Sequence, residues 1–99
     1  MTVDDLRLRF LGVQFAAAEA RRKELDETAD DASRLDNDAR WLGIVREILS
    51  LRAGTPAGLR MKARVVLALI EAVGTANDLV LDAARSLARD VRSVRRPRR

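Results

Sequence analysis

The sequence has no cysteine, no histidine and no tyrosine among its 99 residues. Without cysteine there can be no disulfide bond and no thiol nucleophile, and without cysteine and histidine the usual zinc sites are excluded. Histidine is also the one side chain whose unperturbed pKa lies near neutrality, so the commonest acid–base catalyst is missing. These absences argue against an enzyme, and we expect no catalytic residue and no cofactor.

Aromatic residues are also scarce, being only Phe10, Phe15 and Trp41, and there are five glycines. Alanine, leucine, arginine, aspartate and valine dominate instead, and this composition favours helices over strands. The longest apolar run, residues 65–70, is too short to span a bilayer. The sequence also begins without the basic and apolar segments of a signal peptide. We therefore expect a cytoplasmic protein that makes no membrane contact.

Four segments carry apolar residues at helical spacing, which predicts an all-α, up-and-down helical bundle of about four helices. The first helix begins at Thr2, because Thr2 and Asp5 have the spacing of a capping box, and it extends to about Ala29. Leu11 and Phe15 widen its apolar stripe, which we expect to face the core. That stripe consists of Val3, Leu6, Phe10, Val13, Ala17 and Ala20.

A polar segment, residues 30–38, separates the first two helices. It is rich in residues that favour caps and turns, so we expect a turn with the cap of the second helix between Ser33 and Asp36. One long helix through this segment is the alternative. The second helix is predicted to turn Trp41 inward and to end before Gly54.

Thr55-Pro56 marks the start of the third helix, since threonine is a good N-cap and proline is favoured at the first helical position. Gly74 is expected to end this helix in a left-handed conformation. Thr75 and Asp78 are expected to cap the fourth helix. The core-facing side chains of these two helices are predicted to be Leu59, Val66, Leu69, Ile70, Val73, Val80, Ala84, Leu87, Val91 and Val94.

We predict one helical domain over residues 1–94 and a flexible basic tail at 95–99, because Pro97 keeps the preceding arginine out of helical geometry. Short connections make consecutive helices antiparallel. The first two helices form the longer hairpin, whose polar tip is expected to project beyond the second hairpin.

Charges are segregated along the chain, although the net charge is only +4. In an up-and-down bundle the acidic and basic segments lie at opposite ends. The candidate acidic tip comprises Asp30, Asp31, Asp36 and Asp38. The candidate basic surface comprises Arg85, Arg89, Arg92, Arg95, Arg96, Arg98 and Arg99.

Both charged segments have an ordinary explanation as solvated surface, and arginines in a last helical turn complement the helix dipole. A second hypothesis is that the two ends meet in trans, in an antiparallel dimer or with another partner. A third is nucleic-acid binding, in which the arginines contact phosphates in a salt-dependent manner. Against the third, no aromatic side chain lies among these arginines to stack on bases.

The motifs give little support to metal binding. Asp36-Asn37-Asp38 resembles the start of a calcium loop, but Trp41 and Glu47 stand where that loop needs glycine and glutamate. We therefore expect no metal site. Nor does any serine lie next to a side chain that would act as its base, as nucleophilic catalysis requires.

Short motifs along most of the chain carry a resemblance. They are Asp5-Leu6, residues 44–48 leading into the Thr-Pro-Ala-Gly-Leu run at 55–59, Lys62-Ala63-Arg64, and the Ser-Leu-Ala-Arg-Asp run at 86–90. With these motifs the chain resembles a group of small alphaproteobacterial helical proteins of no known activity, although the connection before Lys62 is shorter here. The resemblance implies a bacterial cytoplasmic helical protein.

Self-association is the function class that the pattern favours. The first helix carries more apolar bulk than the slim face of the fourth helix needs, and a small chain of long hairpins has a thin core. We expect a non-catalytic protein-interaction module, a small adaptor or regulatory protein that forms a homodimer with two-fold symmetry. The alternative is a nucleic-acid-associated protein that uses the basic surface. A structural domain from a mobile element would share these sequence features.

Overall fold

The computed structural model describes residues 2–28 and 30–95 of the chain. These residues form four α-helices, α1 (Val3–Thr28), α2 (Asp31–Ser50), α3 (Pro56–Val73) and α4 (Asp78–Arg95). The described residues contain no strand, and the all-α bundle of four helices with a longer N-terminal hairpin is confirmed. None of the four described helices could span a membrane.

Three local signals act as predicted. The Thr2 hydroxyl accepts the N–H of Asp5, and the Asp5 carboxylate accepts the N–H of Thr2, so the capping box at the start of α1 is formed. Thr55 caps α3 by accepting the N–H of Gly58, with proline in the first turn. Gly74 ends α3 with the predicted positive φ of 79°, which favours glycine, although its ψ of −176° lies outside the left-handed helical region.

Two helix starts differ from the predictions. The cap of α2 is Asp30, which accepts the N–H of Ser33, so α2 begins before the predicted window and the single continuous helix is also wrong. Farther along α2, the buried Asn37 donates to the carbonyl of Ala18 and joins this helix to α1. The cap of α4 is not Thr75, since the Asn77 side chain accepts the N–H of Leu79.

The two hairpins stack so that α1 lies beside α3 and α2 lies beside α4. Within the described residues α1 does not contact α4, which places these helices on a diagonal of the bundle. The molecule is 55 Å long, whereas the longest helix, α1, spans about 39 Å at 1.5 Å per residue. The hairpins are therefore offset along the long axis.

The core lies between the stacked hairpins. The Phe15 ring packs 6.2 Å from the Trp41 ring, which joins α1 to α2. Leu69 and Val80 are buried as predicted, whereas Val73, Ala84 and Val94 are exposed. The buried apolar cluster consists of Leu8, Leu11, Phe15, Ala18, Trp41, Val45, Ile48, Ala53, Val65, Ala68, Leu69, Val80 and Ala83.

The predicted core stripe of α1 faces the opposite way. Its six residues are all exposed, and Val13 keeps 73% of its surface accessible. Helix α1 carries a second apolar set, including Leu8, Leu11 and Phe15, and this set faces the core instead. Both sets have helical spacing, so periodicity alone cannot select between them. The selection is made by Trp41 of α2, which packs on Phe15.

Candidate interaction surface

The exposed apolar stripe of α1 forms a continuous surface, which we call the α1 seam. Its members alternate at spacings of three and four residues, the a/d pattern of a coiled coil. The large side chains at its N-terminal end are 54% to 81% exposed. The seam consists of Val3, Leu6, Phe10, Val13, Ala17 and Ala20. When the face of a helix that points away from its own core is apolar, that face is suited to packing against another helix.

Basic and neutral side chains flank the α1 seam. Arg7 donates to Glu47 of α2 at 2.6 Å, and its guanidinium lies 5.4 Å from the centre of the Phe10 ring. Arg7 therefore covers one edge of the seam while it is held to α2. Arg9, Gln14 and Ala16 occupy other flanking positions and are exposed.

Two surface grooves border the α1 seam. One, of about 860 Å³, lies between α1 and α3, and Val13 lines it. Gly12 is buried at its floor beneath the flexible end of Met61. The other, of about 770 Å³, lies between α1 and α2, and Ala17 lines it. The seam is thus a ridge with space on either side for the side chains of a partner.

The loop between α2 and α3 (residues 51–55) fixes the end of the bundle where α1 begins. Three consecutive backbone N–H groups in this loop each donate to an aspartate from another element. Arg52 N–H donates to Asp4 of α1 at 3.2 Å, and Ala53 N–H donates to Asp90 of α4 at 2.9 Å. Gly54 N–H donates to Asp5 of α1 at 3.1 Å. The loop therefore ties α1 and α4 together although these helices do not touch.

A buried ion pair between Lys62 and Asp90 completes this junction. Both side chains are fully buried, and the Lys62 ammonium lies 2.5 Å from the Asp90 carboxylate. The ammonium also donates to the Leu51 carbonyl and to the Ser86 hydroxyl, so all three of its protons are used. Arg89 donates to the other carboxylate oxygen. Complete pairing is what makes a buried ion pair tolerable in a core.

The Lys62–Ser86 contact raises the question of a serine–lysine catalytic dyad. Such a dyad needs a neutral lysine that accepts the serine proton. Here the ammonium donates to the serine oxygen, and the Ser86 hydroxyl donates its own proton to the Leu49 carbonyl at 3.0 Å. The geometry is that of a structural network that joins α3 and α4 to the end of α2.

Burial and pairing shift the pKa values in this junction. Burial lowers the pKa of Lys62, and the hydrogen bond from its ammonium to Asp90 opposes that shift. Burial by itself would raise the pKa of Asp90, but the hydrogen bonds from Lys62 and Ala53 outweigh it and leave the pKa below its usual value. Hydrogen bonds from Thr2 and Gly54 lower the pKa of Asp5.

Acid should therefore destabilise the protein through Asp5 and Asp90. A carboxylate whose pKa is lower in the folded state contributes stability above its unfolded pKa, about 3.9, and loses that contribution as pH falls through the folded value. We expect the urea concentration at the midpoint of unfolding to decrease as the pH is lowered below about 4. We expect Asp5→Asn to reduce this dependence, and Asp82→Asn, at an exposed site on α4, to retain it. An equal pH dependence in the two variants would contradict the assignment.

The candidate acidic tip lies at the far end of the first hairpin, and its side chains are exposed. Asp30 serves as the cap of α2, Asp31 pairs with Arg34 at 2.8 Å, and Asp38 lies 3.8 Å from Arg22. Among the described residues, no group of three or more acidic side chains has an arrangement that would hold a metal ion.

The candidate basic surface is described only in part. Arg85 and Arg92 are exposed on α4, and Arg89 is drawn into the junction by its bonds to Asp90 and to the Leu51 carbonyl. Arg95 is the last helical residue of α4. The remaining residues of that surface, Arg96, Arg98 and Arg99, lie outside the described residues.

Sequence reasoning missed the buried ion pair. Two signals pointed to it: Lys62 is one of only two lysines in a chain with 17 arginines, and Asp90 is the single acid in the basic C-terminal segment. The spacing of Lys62 from Gly58, Val65 and Leu69 also places it on the inner face of α3.

A scan against protein-family models and searches of curated proteins and of solved structures found no match to this chain.

Proposed function

We propose that this protein is a non-catalytic interaction module, a small adaptor or regulatory protein, that works as a homodimer joined through the α1 seam. The observation that carries the proposal is a stripe with coiled-coil spacing on the side of α1 that faces away from its own core. The occupant is a second copy of the chain, whose own seam is a complementary apolar helix face. A closed two-fold pair covers both seams at once.

The folded monomer lowers the cost of this association. The seam spans about two and a half heptads, fewer than the three or four that mark a free-standing coiled coil. Helix α1 is already ordered, however, because its other face packs on Trp41 and Val45 of α2. Association therefore need not order the backbone, which is a main cost of coupled folding and binding.

The competing function is nucleic-acid binding through the basic surface, favoured by the exposure of Arg85 and Arg92 on α4. The seam contributes nothing to phosphate contacts, whereas the C-terminal arginines contribute nothing to the seam. Each function therefore depends on a different part of the chain.

Removing residues 95–99 separates the two functions. We expect the 1–94 chain to keep the dimer in size-exclusion chromatography with light scattering. We also expect neither chain to bind a labelled DNA duplex or single-stranded RNA at physiological salt in fluorescence anisotropy. Binding that survives this salt and disappears on truncation would contradict the proposal, since phosphate contacts of this kind weaken steeply as salt rises.

A further inference from the structure

The α1 seam is not uniform along its length. Its N-terminal half carries the bulky side chains of Val3, Leu6 and Phe10, whereas its C-terminal half ends in Ala17 and Ala20. A second copy could cross this surface in either direction. The two directions place different side chains, and different charges, against each other.

We infer that the two α1 helices pair antiparallel, with Leu6 of one copy on Ala17 of the other. This inference rests on the proposed homodimer and adds its orientation. In this register Phe10 faces Val13 and Val3 faces Ala20, so every layer combines a larger with a smaller side chain. The layers then have similar volumes along the whole seam, as close packing at a constant helix separation requires.

The groove beside Ala17 supports this register. It lies between α1 and α2, encloses about 770 Å³, and borders the seam where the seam residues are smallest. Leu6 of the second copy would enter this space. A parallel pair would instead set alanine against alanine here and leave the groove unfilled, while it crowded the two Phe10 rings together.

Charge also favours the antiparallel pair. The acidic tip, with exposed Asp30 and Asp36, lies at the far end of α1, and the 51–55 loop lies at the near end with exposed Arg52. A parallel pair would place the two acidic tips side by side. The antiparallel pair instead brings each tip toward the basic end of the other copy, where opposite charges attract.

The flanking residues are compatible with this register. Arg7 of one copy comes to lie beside Gln14 of the other, and Arg9 comes to lie beside Ala16. No two arginines are opposed along the edges of the seam, so the basic flanks do not repel each other.

Disulfide trapping tests the orientation, because the chain has no cysteine of its own. We expect an equal mixture of Leu6→Cys and Ala17→Cys chains to form a disulfide-linked dimer between unlike chains under mild oxidation. Two Leu6→Cys chains should not cross-link. Their Cα atoms would be offset by about 16 Å along the helices, whereas a disulfide needs less than about 7 Å. Leu67→Cys, an exposed leucine on α3, mixed with Ala17→Cys is the negative control.

The outcomes distinguish the orientation from the dimer itself. Cross-linking of Leu6→Cys to itself in a dimeric sample would establish a parallel pair and overturn this inference alone. A dimer without any of these cross-links would contradict the register that sets Leu6 on Ala17 and would overturn the inference as well. A chain that stays monomeric in sedimentation would overturn the proposed function, on which the inference depends.

Discussion

Replacing Lys62 with methionine is expected to lower the free energy of unfolding by about 3–5 kcal/mol, the effect of removing one partner of a buried ion pair. The Asp90 carboxylate would remain fully buried without its ammonium partner, and the Ser86 hydroxyl would lose a donor. Because domains of this size are stable by only about 5–15 kcal/mol, this loss is a large part of the total. Urea unfolding followed by circular dichroism and by Trp41 fluorescence measures it.

The matched control for this variant is Lys23→Met, which changes the only other lysine, an exposed residue of α1. We expect it to alter the free energy of unfolding by less than about 0.5 kcal/mol at the same protein concentration. Combining Lys62→Met with Asp90→Leu removes both charges and should recover part of the stability. If Lys62→Met is as stable as Lys23→Met, the ion pair does not hold the junction together.

Phe10→Asp is expected to weaken self-association by about 30-fold or more, which corresponds to about 2 kcal/mol for the loss of a central aromatic contact. The substitution would place a carboxylate at the middle of the α1 seam, opposite Val13 of the second copy. The fold should survive, because Phe10 is 54% exposed and lies outside the core cluster. Light scattering after size-exclusion chromatography reports the mass, and circular dichroism reports the fold.

Leu67→Asp provides the comparison for this variant. Leu67 is also a large apolar residue, 61% exposed, but it lies on α3 and is not a member of the seam. We expect the Leu67→Asp chain to dimerise as the unmodified chain does. Equal weakening by both substitutions would mean that the seam has no special part in association.

Local signals predicted much of the fold. The capping box at Thr2 and Asp5, the Thr55-Pro56 start and the glycine at position 74 depend on neighbouring residues only, so the sequence contains the information needed. The start of α2 is also set locally, by Asp30 accepting the N–H of Ser33, but the segment offers several residues that can cap a helix, and the prediction chose a later one.

The orientation of α1 shows why the core face could not be read from periodicity. Leu8, Leu11 and Phe15 recur at helical spacing, and so do Leu6, Phe10 and Val13 on the opposite side. Because apolar side chains lie on both sides of α1, neither face is clearly more apolar than the other, and the larger side chains do not decide which face turns inward. The inner face is the one that packs on Trp41 of α2, and this contact exists only in the tertiary structure.

The candidate interaction surface follows from the same ambiguity. The sequence predicted a single wide stripe on α1, whereas the structure divides it into an inner face with Leu11 and Phe15 and an outer face with Leu6 and Phe10. The junction of the aspartates with the 51–55 loop was not predictable, since Asp4, Asp5 and Asp90 all lie far in sequence from that loop and meet it only in the folded bundle.

Sedimentation equilibrium of the unmodified chain over a series of dilutions tests the central claim, that the α1 seam joins two copies. The chain has a mass of 11.0 kDa. We predict that the apparent mass rises with concentration to twice this value and goes no further, and that Phe10→Asp shifts the rise to higher concentration. A mass that stays at 11.0 kDa throughout the series would contradict the account.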